Sequence, residues 1–130
     1  MRMYSWGSTD VGMKRDHNED SYLVVPELNL FVVADGMGGH AGGEMASGIS
    51  VRTVEKVIRG RKELVAPDVK HEGPIEKSPV AKLLSDAVRS ACNAVYSKSR
   101  EVRELEGMGT TTTAMLFHGG YAFIAHVGDS

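Results

Sequence analysis

Two periodicities divide the chain. Tyr22 to Val25, Asn29 to Ala34, Thr110 to Phe117 and Tyr121 to Val127 are short runs rich in β-branched, aromatic and other apolar residues, bounded by Pro26, Gly109 and Gly119-Gly120. Such runs between turn residues predict four strands, and the sequence His118-Gly119-Gly120 predicts a hairpin joining the last two. From Gly43 to Arg59 the apolar positions Met45, Ile49, Val54, Val57 and Ile58 recur at helical spacing, with Gly60 as a stop. The small residues Ala46, Ser47, Gly48 and Ser50 would let this helix come close to a sheet. A second helix is predicted from Ser78 as N-cap and Pro79 in the first turn, with an apolar stripe through Leu83, Leu84, Ala87, Val88, Ala91, Val95, Val102 and Leu105 before Gly107. The connecting stretch from Gly60 to Pro79, with three prolines and mixed charge, reads as a surface loop. Met37 and Met45 read as packing residues.

Composition narrows the class of protein. A chain of 130 residues, 42% hydrophobic and 25% charged, is long enough for one globular core. Its net charge of −2 and lack of a basic run leave no electrostatic footprint for nucleic acid. The single Cys92 cannot form an internal disulfide, and the N-terminal residues lack the apolar core of an export signal. The longest apolar runs are too short to span a bilayer, so the expectation is a soluble cytoplasmic protein without membrane contact.

Within this frame the segment Leu30 to Ser47 stands out, because Asp35 follows an apolar run and five glycines then fall within eight positions around His40. One reading is a phosphate cradle, since Gly36-Met37-Gly38-Gly39-His40-Ala41 fits a loose dinucleotide fingerprint. Asp35 would then sit beside a pyrophosphate, no second acid-tipped strand follows at the expected distance, and no Lys-Ser/Thr pair follows the glycines. The other reading is a metal site, with the strand carrying a carboxylate to its exposed end and small residues leaving room for a cation and its waters. Other acids support it: Glu19 and Asp20 precede the first strand, and Asp129 follows the last. Carboxylates without Cys-His spacing suit Mg²⁺ or Mn²⁺ rather than zinc, and Arg15 offers a planar fork for a phosphoryl group.

The blocks "RDHNEDSY", "VVADGMGGHAGGEMAS", "GMGTTTTA" and "AHVGDS", in this order over residues 15–130, resemble the first four motif blocks of the metal-dependent (PPM, type 2C) serine/threonine protein phosphatases in their bacterial form. The resemblance implies an α+β fold, an α/β/β/α sandwich of two antiparallel sheets flanked by helices, with a binuclear metal centre at one edge. By motif, Asp35 resembles the carboxylate that bridges two metals and Gly36 the residue that lends its carbonyl. Glu19 or Asp20 resembles a ligand of the second metal or of its water, and Asp129 a ligand of a third ion. Arg15 would bind the substrate phosphate, and His40 is the candidate for protonating the leaving seryl or threonyl oxygen. The implied activity is hydrolysis of phosphoserine and phosphothreonine in proteins by metal-activated water, without a covalent intermediate, using two or three Mn²⁺ or Mg²⁺ ions.

The resemblance also sets expectations about extent. The family's later Ser-Asp-Gly and Asp-Asn blocks have no counterpart here, so residues 1–130 read as an N-terminal portion of a single, here incomplete, phosphatase domain. On that reading the chain alone is inactive and self-associates. Its expected partners are phosphoproteins and a cognate Ser/Thr kinase. The rival reading is a non-catalytic, half-length binding or regulatory module of the same fold.

Overall fold

The computed structural model of the chain describes residues 19–39 and 41–128. Strands β1 (Asp20–Val25) and β2 (Leu30–Met37) come first, then helices α1 (Gly42–Gly60) and α2 (Pro79–Glu101), then strands β3 (Gly109–His118) and β4 (Tyr121–Val127). The strands form one antiparallel sheet in the order β1-β2-β3-β4, so the helices lie in the connection between its two central strands. Register places Val33 opposite Tyr22 on one side and Thr113 on the other. Alternation therefore sends Leu30, Val32, Ala34, Thr112, Ala114, Leu116 and Phe123 to one face, where they are buried. Val51, Val54 and Ile58 of α1 and Val80, Leu83, Leu84, Ala87 and Val88 of α2 close over them as a single core. Among the described residues the fold is thus α+β, with one antiparallel sheet covered on one face by two helices and uncovered on the other.

Small residues set how closely α1 approaches. Ser47 and Ser50 are fully buried between helix and sheet. Their hydroxyls are satisfied across the interface, Ser47 Oγ to Ser21 Oγ at 2.7 Å and Ser50 Oγ to Thr112 Oγ1 at 2.6 Å. Helix α2 starts where Ser78 predicts: its Oγ accepts from the backbone N–H of Ala81 at 3.2 Å, and Pro79 fills the first turn, where no donor is needed. The hairpin between β3 and β4 turns on Gly119 and Gly120, whose φ values of 58° and 83° lie in the left-handed region that favours glycine.

Four expectations change. β2 does not end at Ala34 but runs on to Met37, because Gly36 and Met37 continue to pair with Thr110 and Gly109. α2 ends at Glu101, where Val102 turns extended at φ −114° and ψ 118° and Arg103–Leu105 forms a 3-10 turn. The turn still delivers Leu105 to a small second core with Ala46, Val95 and Met108, which is why the apolar stripe outlasts the helix. The inter-helix segment is not simply a surface loop, since Leu64, Val65 and Ile75 pack against the main core. Met37 and Met45 are 55% and 38% exposed: alternation turns Met37 to the uncovered sheet face.

Candidate functional site

The acids of interest gather at one end of the β1–β2 pair. Asp20 opens β1 and stands directly opposite Asp35 in the ladder, so both carboxylates leave the sheet on its uncovered face. Glu19 lies one position earlier and its carbonyl accepts from the N–H of Gly36 at 3.1 Å, extending the pairing. Alternation turns the Glu19 side chain the other way, toward the first turn of α1. Its carboxylate lies against Gly43, so a β-carbon there would stand 2.5 Å from Glu19 Oε1. The two neighbouring acids thus face opposite sides of the sheet.

The glycines let β2 and the start of α1 approach closely at this end of the sheet. A β-carbon on Gly36 would overlap the carbonyl of Gly43, so strand β2 and the start of α1 meet backbone against backbone. Gly38 and Gly42 both lie close under Met108, each leaving 3.2 Å to it for an added carbon. Gly36, Gly38, Gly42 and Gly43 make room for a helix start and a methionine. The arrangement seats the positive end of α1 beside the Glu19 carboxylate, a favourable pairing of charge with helix dipole.

Other groups share the uncovered face with Asp20 and Asp35. Thr111 is Asp35's neighbour on β3, and Gly128 packs against Thr111. Thr113 Oγ1 lies 2.6 Å from His126 Nδ1, and His126 Nε2 lies 3.1 Å from the carbonyl of Gly128. His126 and Thr113 lie within the blocks "AHVGDS" and "GMGTTTTA", but no role attaches to either from the sequence. The signal that could have found them is the period-two register that puts them on Asp35's face. Arg15, His40 and Asp129 lie outside the described residues.

Asp20 and Asp35 supply hard oxygen donors on one face, which fits part of a Mg²⁺ or Mn²⁺ site rather than a zinc site. Among the described residues no three His, Cys, Asp or Glu side chains come together in a group that could hold a metal ion. No helix among the described residues is long and apolar enough to cross a membrane.

A four-stranded antiparallel sheet with helices on one face meets its counterpart in known proteins. Residues 13–130 match the family described as Protein phosphatase 2C, and the chain belongs to that family. It is similar to the serine/threonine protein phosphatase PstP of Mycobacterium tuberculosis, 38% identical over 122 residues, covering 94% of this chain and 21% of that one. It is also similar to the serine/threonine phosphatase stp of Listeria monocytogenes, at 30% identity over 98% of this chain and 48% of that one. Among solved structures, the PstP catalytic domain in complex with two manganese ions superposes with a TM-score of 0.70 and 34% identity, over 94% of this chain and 46% of that one. The chain therefore spans between about a fifth and about half the length of these relatives.

Proposed function

We propose that this chain carries the N-terminal part of the site of a serine/threonine protein phosphatase that hydrolyses phosphoserine and phosphothreonine in proteins with Mn²⁺ or Mg²⁺. The observation that carries the reading is Asp20 standing opposite Asp35 on one sheet face, beside the Gly36 backbone and the end of β4. In this reading Asp35, the Gly36 carbonyl and Asp129 would hold the divalent cations. Asp20 takes the role left open between the two neighbouring acids, because it shares Asp35's face. Glu19 steadies the start of α1. Bound cations of this kind acidify a water and offset charge on phosphoryl oxygens. Arg15 orients the phosphate with its two parallel N–H donors, and His40 gives a proton to the departing alcohol oxygen. Phosphoproteins, a cognate kinase and a cytoplasmic setting belong to the same proposal.

Manganese titration of the metal-stripped chain, followed by calorimetry, tests it. Weak binding that disappears in Asp35→Asn, with negligible turnover of a phosphothreonine peptide by the isolated chain, is the expected result. Tight binding indifferent to Asp35→Asn would sink the assignment. Turnover by the isolated chain that needs metal and is lost in Asp35→Asn would show that residues 1–130 suffice.

A finer proposal concerns association. On the uncovered face Tyr22, Val33, Met37 and Ile124 are 42%, 58%, 55% and 61% exposed, an apolar surface well suited to a second copy of the chain.

A further inference from the structure

β4 closes the strand order on one side, so its outer edge meets no further strand among the described residues. The Gly119-Gly120 turn makes His118 and Tyr121 the closing hydrogen-bonded pair of the hairpin, and alternation gives the inward bonds to Tyr121, Phe123, Ala125 and Val127. Phe117, opposite Ala122, sends its N–H the other way, to the carbonyl of Asn29 at 3.0 Å. The N–H and C=O groups of Ala122, Ile124 and His126 therefore point outward along one edge. Sheet edges are ordinarily blunted by charged side chains, proline or a bulge. β1, the other edge strand, opens on Asp20 and stops at Pro26. Tyr121–Val127 holds neither a formal charge nor a proline and pairs with β3 without interruption.

A groove runs beside this edge, with α2 as its far wall. Two hollows of about 290 and 270 Å³ meet at Ser85 and Ala125, the first beside Glu76 and Tyr121, the second beside Arg89 and His126. His71 fixes the first end: its ring hydrogen-bonds His118 at 2.7 Å and packs against Tyr121 and Phe123, which holds the segment carrying Glu76 against the hairpin. The groove thus begins at a carboxylate and finishes at a guanidinium and an imidazole. Arg89 is 73% exposed and stands 3.7 Å from Asp86, too far for a hydrogen bond, so it is open to a second acid.

We propose that this edge pairs with the same edge of a second copy of the chain, antiparallel about a twofold axis at Ile124. Ile124 then faces Ile124 of the second copy, Ala122 faces His126 of the second copy, and every outward N–H of the three residues finds a carbonyl across the seam. The contact is self-complementary and closes at two copies, with the helices of both on one face of the doubled sheet. Antiparallel pairing sends the Glu76 end of each groove to the Arg89 and His126 end of the other, so opposite charges meet at both ends. A parallel arrangement would set like charges together. The seam stands independently of the phosphatase reading, and Val33 on the uncovered face takes no part in it.

Amide hydrogen exchange across a concentration series, alongside sedimentation, tests the seam. The amides of Ala122, Ile124 and His126 should slow together by about 10-fold or more as the dimer forms. Ala122→Pro removes an outward N–H and leaves the β3 ladder intact, so the folded variant should sediment as a monomer and lose the protection at Ile124 and His126. Glu76→Arg or Arg89→Glu, each acting twice in the dimer, should weaken association by about 10-fold, and the two together should restore it. Val33→Lys, two strands away, should leave the protection in place. A parent chain that sediments as a monomer overturns the proposal, as does a dimer in which the three amides stay unprotected. Charge changes that leave association as it was, or that fail to restore it in combination, overturn it as well.

Discussion

The carbonyl of Gly43, in the first turn of α1, occupies the place a β-carbon on Gly36 would take. The obstacle is backbone on both sides, so neither partner can step aside by changing a rotamer. Gly36→Ala should therefore destabilise the fold by about 3 kcal/mol, at the upper end of the cost of overpacking. Gly43→Ala meets a movable group, the Glu19 carboxylate, as well as the backbone of Gly36, and should cost about 1–2 kcal/mol. Urea denaturation of the two variants checks the order, and equal losses would show that the contact relaxes through the helix start.

Asp35→Asn separates stability from cation binding. Removing one of two acids that face each other across a ladder should change the metal-free stability by less than about 1 kcal/mol. In the parent, manganese should raise the thermal midpoint by mass action, and in the variant that rise should vanish. An equal manganese-dependent rise in both would remove Asp35 from the metal site.

Ser50 and Thr112 share a buried hydroxyl pair at 2.6 Å. Ser50→Ala or Thr112→Val alone leaves one hydroxyl without its partner and should cost about 1–3 kcal/mol. The double variant should cost less than the sum of the two, and a double-mutant cycle measured by urea denaturation gives the coupling directly. Additive losses would mean that each hydroxyl finds a new partner.

Arg59 bridges Glu55 at 2.8 Å and Glu27 at 2.9 Å. The Glu27 carboxyl is held below its ordinary value, first by a backbone hydrogen bond and then by Arg59, and Glu63 is lowered chiefly by Arg61. A depressed folded-state value means that the contribution is present above the unfolded value and fades as pH falls through the folded one. Stability should decline slightly with acidification below the ordinary glutamate range, and Glu27→Gln should flatten that slope. These groups are fully exposed, so the effect is small and should shrink further in salt. A pH slope unaltered by Glu27→Gln, measured by denaturant midpoints, would assign it to other carboxyls.

The uncovered face should drive association. Sedimentation of the 130-residue chain should show dimers or larger species that dissociate in Val33→Lys/Ile124→Lys, since both side chains stand on that face with exposures of 58% and 61%. A parent chain that sediments as a monomer would remove that face as an interface.

Strands and helices were legible in the sequence because their signals are local. The apolar, β-branched run at Phe31 to Ala34 and the Ser78-Pro79 cap act within a few residues. The continuation of β2 through Asp35 was not legible, since Gly36 and Met37 carry no strand propensity and are held only by pairing with residues of β3. The motif spacing singled out Glu19, Asp20 and Asp35 but could not say that Glu19 and Asp20 face opposite sides of the sheet, which depends on register. The His71 and His118 pair was invisible because two residues far apart in sequence, without a motif, meet only through the packing of the inter-helix segment.

Met37 and Gly109 pair across the two central strands, with both helices lying between them in the chain. The β1–β2 and β3–β4 hairpins can close locally and quickly, but the ladder that unites them must await the ordering of α1 and α2, whose loop-closure entropy falls on that one step. Docking of the helices is therefore the expected rate-limiting event. Ser50→Ala, at the joint between α1 and β3, should slow refolding in stopped-flow measurements more than it speeds unfolding. The opposite partition would place the docking of α1 on β3 after the barrier rather than before it.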